Sequence, residues 1–150
     1  MNMSFLDKLA SKRIAIILVL MLCLGLRVSL ALYKDGAEIV HDAYTYINIA
    51  NKIADGHGFS AEASWSAVKG QIVPTAHGYV MYPYFLAAIF YLVDGGMMEV
   101  ALVQSVIDTV SCFIVFLLAL RYTSRRLTAL LASLGYAIYP PFILSACSAL

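Results

Sequence analysis

Apolar and polar positions divide the chain into blocks of different period. Three apolar runs cover 14–33, 100–120 and 127–150; Arg27 interrupts the first, Asp108 the second, and no charge falls in the third. A helix crosses a hydrocarbon core of about 30 Å with about 20 residues, so each run is long enough to be a transmembrane helix. Pro140-Pro141 lies within the third run. Proline lacks a backbone donor and clashes with the preceding turn, so a kink is expected there. Between the first two runs the period changes. In 42–55, apolar residues at Ala43, Tyr46, Ile47, Ala50, Ile53 and Ala54 follow the i, i+3, i+4, i+7 rule of one helical face. Thr45, Asn48, Asn51, Lys52 and Asp55 fill the other face, and Gly56 is placed to cap the helix. Such a helix, just outside a span, is expected to lie in the membrane interface, or to pack against the body of a larger protein. The apolar stretch 84–93 is too short to span and predicts a second interfacial or re-entrant helix, and Asp94-Gly95-Gly96 then turns the chain into the second run. The predicted fold class is an all-α integral membrane protein, with three transmembrane helices and interfacial helices in a long first outer loop, 34–99.

Composition agrees with this pattern. Apolar residues make up 62% of the 150 residues and charged residues 13%, about half the share of charge usual in a soluble domain. A net charge of +1, with ten basic residues thinly spread, argues against a nucleic-acid partner. The basic residues orient the spans. Lys8, Lys12 and Arg13 precede the first, and Arg121, Arg125 and Arg126 separate the second from the third. Basic flanks favour the cytoplasmic side, so segments 1–13 and 121–126 are expected inside and the 34–99 loop outside. A cleavable signal peptide ending near Ser29-Leu30-Ala31 is the competing reading of the N-terminus. Arg27 fits that reading badly, and a retained anchor is preferred. Cys23, Cys112 and Cys147 each fall within an apolar run, without metal or redox spacing, and read as small buried hydrophobes.

The chemistry concentrates in the first part of the outer loop, which holds His41, His57, His77, Trp65 and five of the nine acids. Asp42, at the start of the amphipathic helix, admits two readings: a helix N-cap accepting backbone N–H bonds, or a carboxylate at the mouth of a membrane cavity acting as general base. Asp108 lies in a polar stripe with Gln104, Ser105, Thr109 and Ser111, which predicts contact with other helices rather than catalysis. The scattered histidines form no convincing metal site, and no cofactor is assigned; a divalent metal stays open, with no ligand set to support it.

The order of short motifs resembles the N-terminal part of the type C glycosyltransferases, specifically the dolichyl-phosphate-mannose protein mannosyltransferases and bacterial aminoarabinose transferases. The matching features are a first span ending in Arg27, then Asp42, Tyr46, Ile49 and Ala50 in the outer loop. Gly56 to Phe59, Pro74 to Ala76, Tyr82 to Ala87, the basic Arg121 to Arg126 turn and Tyr139-Pro140 complete the series. Each motif is short; the resemblance lies in their order, which covers almost the whole chain from Ile14. It implies a sugar transferred from a polyprenyl-phosphate donor to a protein or lipid acceptor on the extracytoplasmic side, with Asp42 as catalytic base. It further implies that Arg27, or Lys52, meets the lipid phosphate, with His57 and Tyr46 as further substrate contacts. For Arg27 the competing role is snorkelling to the outer interface.

Family members have more spans than three, and an acid that follows shortly after this point in the family is absent here. The chain is therefore expected to be the N-terminal portion of a longer enzyme and inactive alone. The alternative is a small, non-catalytic three-span membrane subunit or assembly factor. A transporter half is less well supported, because no inverted repeat or broken central helix is evident.

Overall fold

The computed structural model describes residues 13–36, 38–39, 43–62, 69–76, 79–93 and 96–149. Asp42, His41, Trp65 and His77 lie outside the described residues. The chain is mostly helical. Its elements are α1 (Arg13–Tyr33), β1 (Glu38–Ile39), α2 (Ala43–Ala54), β2 (Ser60–Glu62), β3 (Ile72–Pro74), α3 (Met81–Val93), α4 (Met97–Thr123), α5 (Arg126–Ile138), α6 (Pro140–Ser145) and β4 (Ser148–Ala149).

Among the described residues two helices, α1 and α4, are long and apolar enough to cross a membrane. At 21 and 27 residues they extend about 31 and 40 Å. Much of their apolar surface faces outward: Ile17, Leu18 and Met21 on α1, and Val106, Val110 and Leu118 on α4, are all at least half exposed. Helix α4 outruns its apolar core at both ends. Glu99 accepts a hydrogen bond from the Gly96 N–H (2.6 Å) at its start. At its end Ser124 turns left-handed (φ 53°), its N–H donating to the Leu120 carbonyl.

The third apolar run is not one helix. Helix α5 stops at Ile138, and at about 20 Å it is too short to cross a bilayer alone. Tyr139 is extended (φ −70°, ψ 115°), the conformation that a following proline enforces, and Pro140 opens α6. The chain then straightens into β4, which pairs in parallel with β1: Glu38 opposite Ser148, Ile39 opposite Ala149. The segment still runs the full length of the bundle. At one end Ala129 and Leu130 pack with Ile16 and Phe116. At the other, Cys147 packs with Ala31, Val100 and Ala101. Helix α4 therefore runs antiparallel to α1, and 126–149 runs alongside α1.

A polar connection joins the three segments at mid-length. Arg27 is fully buried and Nε donates to Asp108 Oδ2. Nη1 donates to the carbonyls of Cys23 (3.1 Å) and Ala137 (3.0 Å). Tyr136 donates its phenol O–H to Asp108 Oδ1 (2.6 Å). The Ala137 carbonyl is available because its helical partner would be the N–H of residue 141, and that residue is proline. Cys23 and Cys112 pack with Ala137 beside the pair, and Cys112 Sγ donates to the Ser133 carbonyl (3.3 Å).

The loop end of the bundle is a second layer. Helices α2 and α3 lie across it, burying Ala43, Ala50, Leu86, Ala87 and Ile89 against Ala31 and Val100. Helix α3 starts three residues earlier than its apolar run suggests, because Pro83 falls in the first turn, where its missing N–H is no loss. Gly36, at φ +108°, is where the chain leaving α1 meets the start of α4. A Cβ there would come 2.8 Å from the Met98 amide nitrogen and 2.9 Å from the Met97 carbonyl carbon.

Two outcomes are expected from thermal unfolding of the purified chain in detergent. Arg27→Leu or Asp108→Leu alone leaves a buried charge unpaired and should cost about 3–5 kcal/mol, whereas the double substitution should recover most of that loss. Gly36→Ala should cost about 1–3 kcal/mol through backbone collision and an unfavourable φ.

Candidate functional site

The candidate site is built on α2. Its apolar face is fixed to α3: Ile49 and Ala50 are fully buried, and the Tyr46 ring meets Tyr82 edge-on at 5.7 Å between centroids. Tyr82 also accepts a hydrogen bond from Gln104 Nε2 (3.1 Å), tying α3 to α4. With one face anchored, the polar face points away from the bundle.

The helix ends in a two-bond cap. Gly56, at φ +84°, donates to the Ile53 carbonyl (3.0 Å), and His57 N–H donates to the Lys52 carbonyl (2.8 Å). This left-handed stop turns the chain back along the helix. Ser60 Oγ donates to the His57 and Gly58 carbonyls, and β2 then pairs with β3 in antiparallel register, Ala61 opposite Val73. Asn48 Oδ1 accepts the Glu62 N–H (3.4 Å), bringing the hairpin against α2. The Phe59 ring stacks on Tyr84 (6.1 Å), so the hairpin base also rests on α3.

Between α2 and the hairpin lies a cavity of about 310 Å³, lined by Tyr44, Ile47, Asn48, Asn51, Lys52 and Glu62. Its wall carries two amides, one cation, one carboxylate and a phenol. That set suits a polar, hydroxylated ligand bearing a negative charge: amides pair with hydroxyls, and the ammonium supplies a compact charge for an anion. Side chains on a helix lean toward its N-terminus, so the Lys52 side chain is directed back along α2 toward Ala43. No group of three or more His, Cys, Asp or Glu side chains suited to hold a metal ion occurs among the described residues.

The residues named from sequence fall in different places. Lys52 lines the cavity. His57 is exposed in the capping turn and is not among the lining residues. Tyr46 belongs to the packed face of α2, on the far side from the cavity, and its ring is held by Tyr82. Arg27 is enclosed between α1, α4 and α5 and bound to Asp108. An exposed phosphate is beyond its reach, and it does not snorkel either, because an internal carboxylate offers a better partner than the interface. Asp42, immediately before α2 in sequence, is outside the described residues. Tyr44, Asn48, Asn51 and Glu62 were not singled out as site residues. The polar face of α2 was the signal for the two asparagines; Glu62 joins them only through the hairpin.

Comparison with family models, with curated proteins and with solved structures returns no match to this chain.

Packing and lining roles separate in a stability measurement. Tyr46→Ala is expected to lower the thermal midpoint, by an amount equivalent to about 1–3 kcal/mol. Lys52→Ala, on the cavity wall, should leave it within about 0.5 kcal/mol of the parent.

Proposed function

We propose that the chain is the N-terminal portion of a membrane glycosyltransferase that moves a sugar from a polyprenyl-phosphate donor to a protein or lipid acceptor on the extracytoplasmic side. The observation that carries this reading is the polar cavity on α2, with Lys52 in its wall, on a helix whose first residue directly follows Asp42. The order of motifs shared with the type C glycosyltransferases supports it, as do the two long apolar helices. In this reading α1, α4 and the 126–149 segment are three crossings, with the N-terminus cytoplasmic and the α2–α3 layer outside.

The reaction needs a base for the acceptor hydroxyl and a cation for the leaving phosphate. Asp42 takes the acceptor proton as the acceptor oxygen attacks the anomeric carbon; the bond to the phosphate oxygen breaks, and the phosphate leaves as an anion. Lys52 balances that charge, and Asn48 and Asn51 hydrogen-bond the sugar hydroxyls. Arg27 has no part in the chemistry; it holds together the bundle on which α2 rests.

Substitutions in the full-length protein test the proposal, with transfer of labelled sugar from a polyprenyl-phosphate donor as the readout. Asp42→Asn should lower the rate by at least about a hundredfold, the contribution expected of a positioned general base. Lys52→Gln should weaken donor use, while expression and membrane retention are unchanged. Near-parental transfer by Asp42→Asn would reduce Asp42 to a helix cap and favour a non-catalytic membrane subunit.

A further inference from the structure

We infer that the basic end of the helical bundle, opposite the cavity, is a binding site for an anionic phospholipid. Four arginines converge there. The cluster of Ile16, Phe116, Ala129 and Leu130 marks that end of the three packed helices. Arg13 lies three residues beyond Ile16, Arg126 three before Ala129, and Arg121 five beyond Phe116. These offsets are about 4.5 to 7.5 Å of helical rise, so the three residues leave the backbone at about one level, with Arg125 in the adjoining turn.

None of the four has an ion-pair partner among the described residues, where the one ion pair is Arg27 with Asp108. Along α4 the acid nearest to them is that same Asp108, thirteen residues before Arg121 and already committed. Arg13, Arg121 and Arg125 are exposed, while Arg126 is half-buried and its Nε is sequestered without a hydrogen-bond partner. A phosphate oxygen is an acceptor for the guanidinium nitrogens of Arg126 other than this buried Nε, and for those of the three exposed arginines.

The surroundings select a lipid over a soluble phosphate. Immediately inside the arginines, Ile17, Leu117 and Leu118 expose their apolar side chains, and Tyr122, 86% exposed, stands beside Arg121. An apolar collar beneath a level of cations and an amphipathic ring matches the two parts of a phospholipid, acyl chains below and a phosphate headgroup above. Four like charges with no ion-pair partner among the described residues favour a headgroup with net negative charge over a zwitterionic one. The inference rests on the membrane placement proposed above and is independent of sugar transfer.

Native mass spectrometry of the purified chain in detergent micelles tests it, with dioleoylphosphatidylglycerol, dioleoylphosphatidylcholine and glycerol phosphate as probes. Phosphatidylglycerol adducts should exceed phosphatidylcholine adducts by at least about fivefold. Arg121→Gln and Arg126→Gln should each lower them about fivefold, and Arg126→Lys less. Far-UV circular dichroism should show each variant folded as the parent. Equal occupancy by the two lipids, or unchanged binding in the Arg121→Gln/Arg126→Gln double variant, overturns the site. Competition by glycerol phosphate at lipid-equivalent concentration overturns the choice of a lipid ligand. A chain that fails to sediment with membranes overturns the membrane placement as well, which separates that failure from loss of the site alone.

Discussion

A guanidinium in the middle of an apolar helix must find a partner, and that requirement organises this fold. Leaving such a charge alone in a medium without water costs several kcal/mol. Arg27 meets the requirement with a carboxylate from α4 and a carbonyl from α5. Asp108 in turn takes the Tyr136 phenol. Each helix supplies what the other two lack. Dispersion alone would let smooth apolar helices slide past one another, whereas these directional bonds define how they align. One donor, Nη2 of Arg27, is buried without a partner. The network is therefore a means of alignment more than a large net source of stability.

The two ends of the bundle are finished differently. Toward the loop, small residues (Ala31, Ala43, Ala50, Ala87, Ala101) let α2 and α3 settle closely on α1 and α4. Only because that contact is tight does α2 offer one polar face cleanly to the hairpin. At the other end the chain reverses in a few residues around left-handed Ser124 and leaves Arg121 and Arg125 exposed. Apart from the Arg27–Asp108–Tyr136 network between the helices, the charged side chains thus gather at the two ends.

Much of this organisation was legible in the residues. Long apolar runs mark α1 and α4, because a continuous helix needs only length and the absence of breakers. The period of α2 and its Gly56 stop were equally plain, since both are local. What escaped was non-local. Arg27 and Asp108 are 81 residues apart, and each considered alone had a reasonable role elsewhere: a phosphate contact or an interfacial side chain for one, a generic interhelical contact for the other. The β1–β4 pair has two residues per strand and no periodicity to announce it. For Tyr46, an aromatic on an amphipathic helix suits packing and ligand contact alike, and its contact with Tyr82 is invisible in the sequence. The split of the third run was foreshadowed by its prolines, but not the extended return to β1.

Those prolines bear on residue 27 from more than a hundred positions away. Pro141 strips the Ala137 carbonyl of its helical donor, and Arg27 supplies the replacement while holding Asp108 with a different nitrogen of the same fork. Lysine carries the charge but ends in a single nitrogen, which cannot present donors along two separated directions from a planar frame. The identity of residue 27 is therefore tied to the place where α5 stops. Because Tyr139 is held extended before Pro140, the Ala137 carbonyl lies beyond the last complete helical bond, and a distant arginine closes it. A helix break in one segment has become a binding group for the side chain of another.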